Sequence, residues 1–133
     1  MTLRVELVAP EGEIWAGDAQ RVIAKTLDGD IGILTGHTSV LGILAEGSIV
    51  RILPEDDQAG GGELVTAIGG GFLSVADDRV SILAREAQLG SDVDRAEAQV
   101  ALDAALEAAG PGAEDSAAVR YLRAQLRAAG DRA

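Results

Sequence analysis

From Leu3 to Ala84, apolar positions recur in short runs separated by turn-forming residues. Leu3, Val5 and Leu7 alternate with Arg4 and Glu6. A period of two marks a strand with one buried face. Further runs cover Ile14 to Ala16, Arg21 to Leu27, Ile31 to Leu34, Val40 to Leu44, Ser48 to Leu53, Leu64 to Ile68, Phe72 to Ala76 and Arg79 to Ala84. Glu11-Gly12, Asp28-Gly29 and Asp77-Asp78 stand between them as tight turns. Residues 55 to 62, which hold no apolar residue larger than alanine, read as a solvated loop. The pattern predicts about ten short strands, which fit a β-sandwich or flattened barrel, because one flat sheet of that width would expose its faces and edges.

The period changes near residue 87. Val and Ile number 17 up to Glu86 and three after it, while Ala numbers 9 before residue 87 and 15 from there on. Alanine with Leu, Glu and Arg favours helix. Ser91-x-x-Asp94 resembles a capping box that opens a first helix reaching about Ala109. Val93, Ala96, Val100 and Ala104 are expected on one face, with Leu102 and Leu106 beside it. Gly110-Pro111-Gly112 stops the helix. Asp115 or Ser116 caps a second helix to about Ala129, with Val119, Leu122 and Leu126 as its seam. The fold expected is a β-sandwich over residues 1–88 followed by a C-terminal antiparallel two-helix hairpin over 89–133. The hairpin's small side chains predict weak docking and a removable element.

Charge and composition exclude whole classes of function. Across 133 residues, 11 basic face 22 acidic side chains, for a net charge of −11. A surface that neutralises nucleic-acid phosphates or anionic lipid is not expected from that balance. No apolar run approaches the ~20 residues of a membrane span, and no secretory leader is expected. The chain has no cysteine and one histidine, which removes thiolate zinc sites and any site built on two imidazoles.

Three local motifs invite site readings. Gly69-Gly70-Gly71 lacks the spacing of a phosphate-binding loop and reads as a bulge or turn. Asp28-Gly29-Asp30 opens like a calcium loop, but Ser39 occupies the position where glutamate is required. It reads instead as an acidic hairpin tip, free to contact a partner. His37 has no assembled nucleophile or orienting group in view. On the second helix, Arg120, Arg123 and Arg127 form a basic stripe in a stretch without an acid. Two readings stay open: a solvated face that favours a helix C-terminus, or a docking face for an acidic partner or nucleotide phosphate.

Several motifs occur in order: Leu7-Val8-Ala9-Pro10-Glu11-Gly12, then Asp28-Gly29-Asp30-Ile31-Gly32-Ile33-Leu34-Thr35-Gly36-His37, then Gly47-Ser48-Ile49-Val50-Arg51-Ile52. Gly70 to Val75 and Val80 to Ala84 complete the set. In this order and spacing the chain resembles the epsilon subunits of F-type ATP synthases, over essentially its whole length. Thr35 stands where that family usually has proline, and Asp28 and Asp30 replace commoner glutamates. Asp92-x-x-Arg95-Ala96 is similar to the motif opening the family's tail, although Ser91 replaces an aliphatic residue.

The resemblance implies a non-catalytic rotor subunit of the central stalk, coupling proton flow through the membrane sector to ATP synthesis. It implies contact with the gamma subunit and with the polar loops of the c ring, the latter through Asp28, Asp30 and His37. It implies a peripheral position on the cytoplasmic face of the cell membrane, without direct insertion. The tail is implied to inhibit ATP hydrolysis when it extends to the catalytic alpha and beta subunits. Neither metal nor obligatory cofactor is implied. In some relatives the tail holds regulatory ATP, and Glu86, Asp92, Arg95, Arg120, Arg123 and Arg127 are the positions here that would touch nucleotide or catalytic subunits. The alternative is a freestanding small-molecule binding module with a helical clasp. An enzyme using a carboxylate or His37 is the third class, and the least supported.

Overall fold

The computed structural model describes residues 2–55, 62–110 and 116–130. The solvated loop expected at 55 to 62 and the Pro111-Gly112 stop fall largely outside them. Seven strands precede the helices among the described residues: β1 (Leu3–Ala9), β2 (Gly12–Thr26), β3 (Gly29–Ile33), β4 (Val40–Pro54), β5 (Leu64–Ala76), β6 (Arg79–Ala84) and β7 (Ala87–Leu89). The sheet order is β1-β6-β5-β4-β2-β3, and β1 also pairs with β2, so the sheet closes on itself. Among the described residues only the β1–β6 pairing is parallel. Closure satisfies the edges that an open sheet of these strands would leave bare.

The sandwich is as expected, but with seven strands rather than about ten. Three pairs of expected segments are single long strands. β2 runs through Gly17, β4 through Gly47 and β5 through Gly69-Gly70-Gly71. Gly47 is the extra residue where the β4–β5 register shifts between Glu46 and Ser48, and its φ of 70° belongs to the left-handed region that glycine tolerates. At Gly69–Gly71 the neighbour of β5 changes from β6 to β7, and the backbone stays paired through Gly69 N to Glu86 O at 2.8 Å and Arg85 N to Gly70 O at 2.9 Å. These glycines bend strands instead of ending them.

Alternation places Leu3, Val5, Leu7, Val22, Ile33, Leu44, Ile52, Leu73 and Ile82 inside, all essentially without solvent contact. Ile68 joins this core, while Val65 and Ala67 on the opposite face of β5 pack against the tail.

After a short 3-10 turn at Gly90–Asp92 come α1 (Arg95–Ala109) and α2 (Ala117–Gly130). The first helix starts later than the Ser91 reading predicts. Its N-cap is Asp94, whose carboxylate accepts from Glu97 N at 3.0 Å. Ser116 caps α2 by accepting from Val119 N at 3.1 Å. The expected face of α1 is also corrected. Val100 is 69% exposed and Ala96 and Ala104 are exposed, whereas Ala98 and Leu102 are buried. α1 packs on α2, and α2 lies on β4 and β5. Thus α1 turns its leucine side inward, where the larger side chain removes more surface from water. The sheet-facing side of α2 is built on Ala124 and Ala128, with Tyr121 partly buried beside them.

Candidate functional site

Three adjacent strands carry consecutive pairs of large apolar residues: Ile43-Leu44 on β4, Phe72-Leu73 on β5 and Ile82-Leu83 on β6. A strand sends neighbours to opposite faces, so one of each pair must point outward. Leu44, Leu73 and Ile82 take the interior. Ile43, Phe72 and Leu83 are exposed, and the register pairs Ile43 with Phe72 and Phe72 with Leu83. The outcome is a continuous apolar row across the sheet. Leu41, 74% exposed, lies two residues before Ile43, and Leu27, 68% exposed, is held beside it by its N–H donating to Ile43 O at 2.9 Å. Leu27, Ile43, Phe72 and Leu83 line an open cleft of about 750 Å³ together with Pro10, Arg120 and the Glu46–Arg85 ion pair, and Leu41 extends the apolar surface beyond it. A contiguous exposed apolar patch of this kind marks a docking surface. The sequence reading missed it, although the repeated apolar doublets were its visible signal.

The acidic tip is a tight turn. Thr26 Oγ1 donates to Gly29 O at 2.9 Å and accepts from Asp28 N at 3.2 Å. Asp28 and Asp30 are exposed, and Asp30 stands across from Lys25. His37 lies beyond the other end of β3. Its Nδ1 is 2.6 Å from Thr38 O, which makes Nδ1 the protonated nitrogen. Its loop is tied to the β5–β6 turn, where Gly36 N donates to Asp78 Oδ1 at 2.7 Å. Asp77 and Asp78 both have positive φ, 50° and 61°, as a two-residue hairpin turn requires. His37 is thereby a positioned loop residue, separated from Asp28 and Asp30 by the length of β3.

The six tail-associated positions divide among different surfaces. Asp92 lines a cavity of about 220 Å³ with Glu97, Leu122 and Gln125. Glu86 lines another with Arg85 and Tyr121. Arg127 donates from Nη2 to Gly47 O at 2.8 Å and lines a third with Lys25, Asp30 and Arg51. Arg120 belongs to the rim of the apolar cleft. Arg95 and Arg123 line none of these four cavities. None of these four cavities is lined by more than one of the six. The Tyr121 hydroxyl has its pKa pushed up to about 12, chiefly by burial, then by the charges of Glu86 and Glu11. Among the described residues, no cluster of His, Asp and Glu fits a metal ion, and no helix is long and apolar enough to cross a membrane.

The fold is a closed β-sandwich that presents an apolar row beside charged loops, with an appended helical hairpin. The chain belongs to the ATP synthase delta/epsilon family: residues 2–90 match the model of that family's beta-sandwich domain. It is similar to the ATP synthase epsilon chain of Thermobifida fusca, 49% identical over 128 residues, covering 96% of this chain and 91% of that one. The ATP synthase epsilon chain of Frankia casuarinae is 48% identical over 89 residues, 67% of this chain and 99% of the relative. Among solved structures, a chain of the Euglena gracilis mitochondrial ATP synthase (OSCP/F1/c-ring) superposes with a TM-score of 0.67 at 25% identity, covering 94% of this chain and 75% of that one. As an epsilon-type member of the family, the chain is a non-catalytic subunit of ATP synthase.

Proposed function

We propose that this chain is the central-stalk rotor subunit that couples proton flow through the membrane sector to ATP synthesis. The observation that carries the reading is the apolar row of Ile43, Phe72 and Leu83 with Leu41 and Leu27. An exposed row of this size is costly in water and gains most from a permanent partner. In this reading the gamma subunit covers it. The exposed Asp28–Asp30 tip and the pinned His37 loop meet the polar loops of the c ring, and the subunit sits peripherally at the cytoplasmic face of the membrane. The likeness to a chain of an F1/c-ring assembly supports this placement.

The same reading gives the hairpin a regulatory part. Folded, it lies on β4 and β5; extended, it brings the stripe of Arg120, Arg123 and Arg127 to acidic surfaces of the catalytic subunits and slows ATP hydrolysis. The Frankia relative supports a separable tail. Its match takes up 89 residues and 99% of that protein, about the size of the sandwich alone.

The test is Phe72→Glu. Phe72 is 52% exposed, so the change leaves the fold's stability within about 0.5 kcal/mol. It buries an unpaired charge in the interface and should weaken co-purification with gamma by at least about tenfold. Full gamma binding by a folded Phe72→Glu protein would remove the row from the interface.

A further inference from the structure

The seating of α2 decides how its pose is held. Successive helical residues turn by about 100°, so positions two apart lie on nearly opposite flanks. Gln125 donates through Nε2 to Gln88 Oε1, and it shares its cavity with Asp92. Arg127, two residues on, reaches the other side and spends its guanidinium on the Gly47 carbonyl at 2.8 Å. Arg123 also stands two residues from Gln125 and falls on the Arg127 flank. The basic stripe therefore lies on the flank of α2 away from the cavity that Asp92 lines.

Rotating α2 to carry the stripe to that cavity is blocked at two glycines, Gly47 on β4 and Gly90 in the 3-10 turn. A methyl group on Gly47 would overlap Arg120, backbone included, and one on Gly90 would overlap the Ala128 carbonyl. The helix meets the β4 backbone at Gly47 and the 3-10 turn after β7 at Gly90, and these two contacts set its rotation as well as its register. Ala124 and Ala128 fill the space between these points, against Val65 and Ala67.

We propose that the folded tail of this chain is held by a latch made wholly of protein, Arg127 on the Gly47 carbonyl with α2 seated on Gly47 and Gly90, and that its pose does not respond to nucleotide. The proposal rests on the reading of the hairpin as an element that leaves the sandwich. It departs from the ATP-dependent tail that the family resemblance implies for some relatives, because Arg127 is bonded to the Gly47 carbonyl on the flank of α2 away from the Asp92 cavity.

Hydrogen exchange on the full-length chain tests it, with millimolar MgATP as the probe and β6 amides as the internal standard. The latch predicts α2 exchange unchanged by MgATP. Arg127→Ala should speed α2 exchange by about tenfold, the worth of one charge-assisted hydrogen bond, with β6 unaffected. Gly90→Ala should speed it further by forcing the helix off its seat. Slower α2 exchange in MgATP would overturn the latch while leaving the movable tail intact. Unchanged exchange in Arg127→Ala would overturn it equally. Wild-type α2 exchanging as slowly as β6 would sink the movable tail itself and the latch with it.

Discussion

The sandwich and the hairpin use different material for contact. Inside the sandwich, side chains such as Leu7, Leu73 and Ile82 are completely buried. Each contributes about 1.5–3 kcal/mol by leaving water. Where α2 meets the sheet, the buried residues are Val65, Ala67, Ala124 and Ala128, with Ile49 and Tyr121 only partly covered. An alanine methyl is worth about 0.8 kcal/mol, so this interface is stabilised by many small terms and a few polar bonds. Opening the ring of β1, β6, β5, β4 and β2 breaks strand pairings. The helix can leave without breaking one strand pairing. The proposed function, a rotor domain that stays folded and a tail that detaches, calls for these two compositions.

The largest expected effect separates the two regions through the core. Leu73→Ala should lower global stability by about 3 kcal/mol, read as a drop in the denaturation midpoint with strand and helix signals lost together. A helix signal outlasting the strands would mean that the hairpin is stable without its support. Next, removing everything after Gly90 should leave a cooperatively folding β-protein whose thermal midpoint falls by only a few degrees, equivalent to about 1 kcal/mol. The cut spares β7, which ends at Leu89. An unfolded product would make the tail part of the core.

A pH titration sharpens the contrast with a smaller effect. The Tyr121 pKa is raised from its ordinary 10.0 to about 12, so folding favours the protonated hydroxyl. Its contribution to docking is fully present below about pH 10, the unfolded value, and is lost as pH rises through the folded value near 12. The helical circular-dichroism signal should therefore fall in that window before the strand signal does, and Tyr121→Phe should remove the tyrosine-linked part. The smallest effect belongs to the cap. Asp94→Ala should cost α1 about 1 kcal/mol, seen as fraying of its first turn, with the midpoint of the sandwich unchanged.

Much of this architecture was legible, and the errors share a cause. Gly69–Gly71 announces unusual backbone, which the sequence leaves open as a bulge or a turn, and the segments on either side of Gly47 read as separate strands. A bulge and a turn require the same local φ; the partner strand decides between them, and residues such as Glu86 and Arg85 supply the pairing that carries β5 onward. On α1, Val100 and Leu102 are both apolar. Only the position of α2 selects Leu102 for burial and leaves Val100 in solvent. In the site, the acidic tip and the loop histidine lie where the turn chemistry puts them. The apolar row stayed hidden because each of its members, taken alone, looks like core.

Local chemistry settled what depends on neighbours in the chain. The alternation of Leu3, Val5 and Leu7, the Asp77-Asp78 turn, the Ser116 cap and the arginine stripe on one flank of α2 all follow from periods and dihedral preferences that act over a few residues. Tertiary structure alone decided which member of Ile43-Leu44 or Phe72-Leu73 faces outward, and which flank of α2 lies over Gly47. Those choices rest on contacts between distant segments, as between Arg127 and Gly47, 80 residues apart. No local preference encodes such a pairing, because its free energy exists only once the sheet has closed and offers the helix a place to sit.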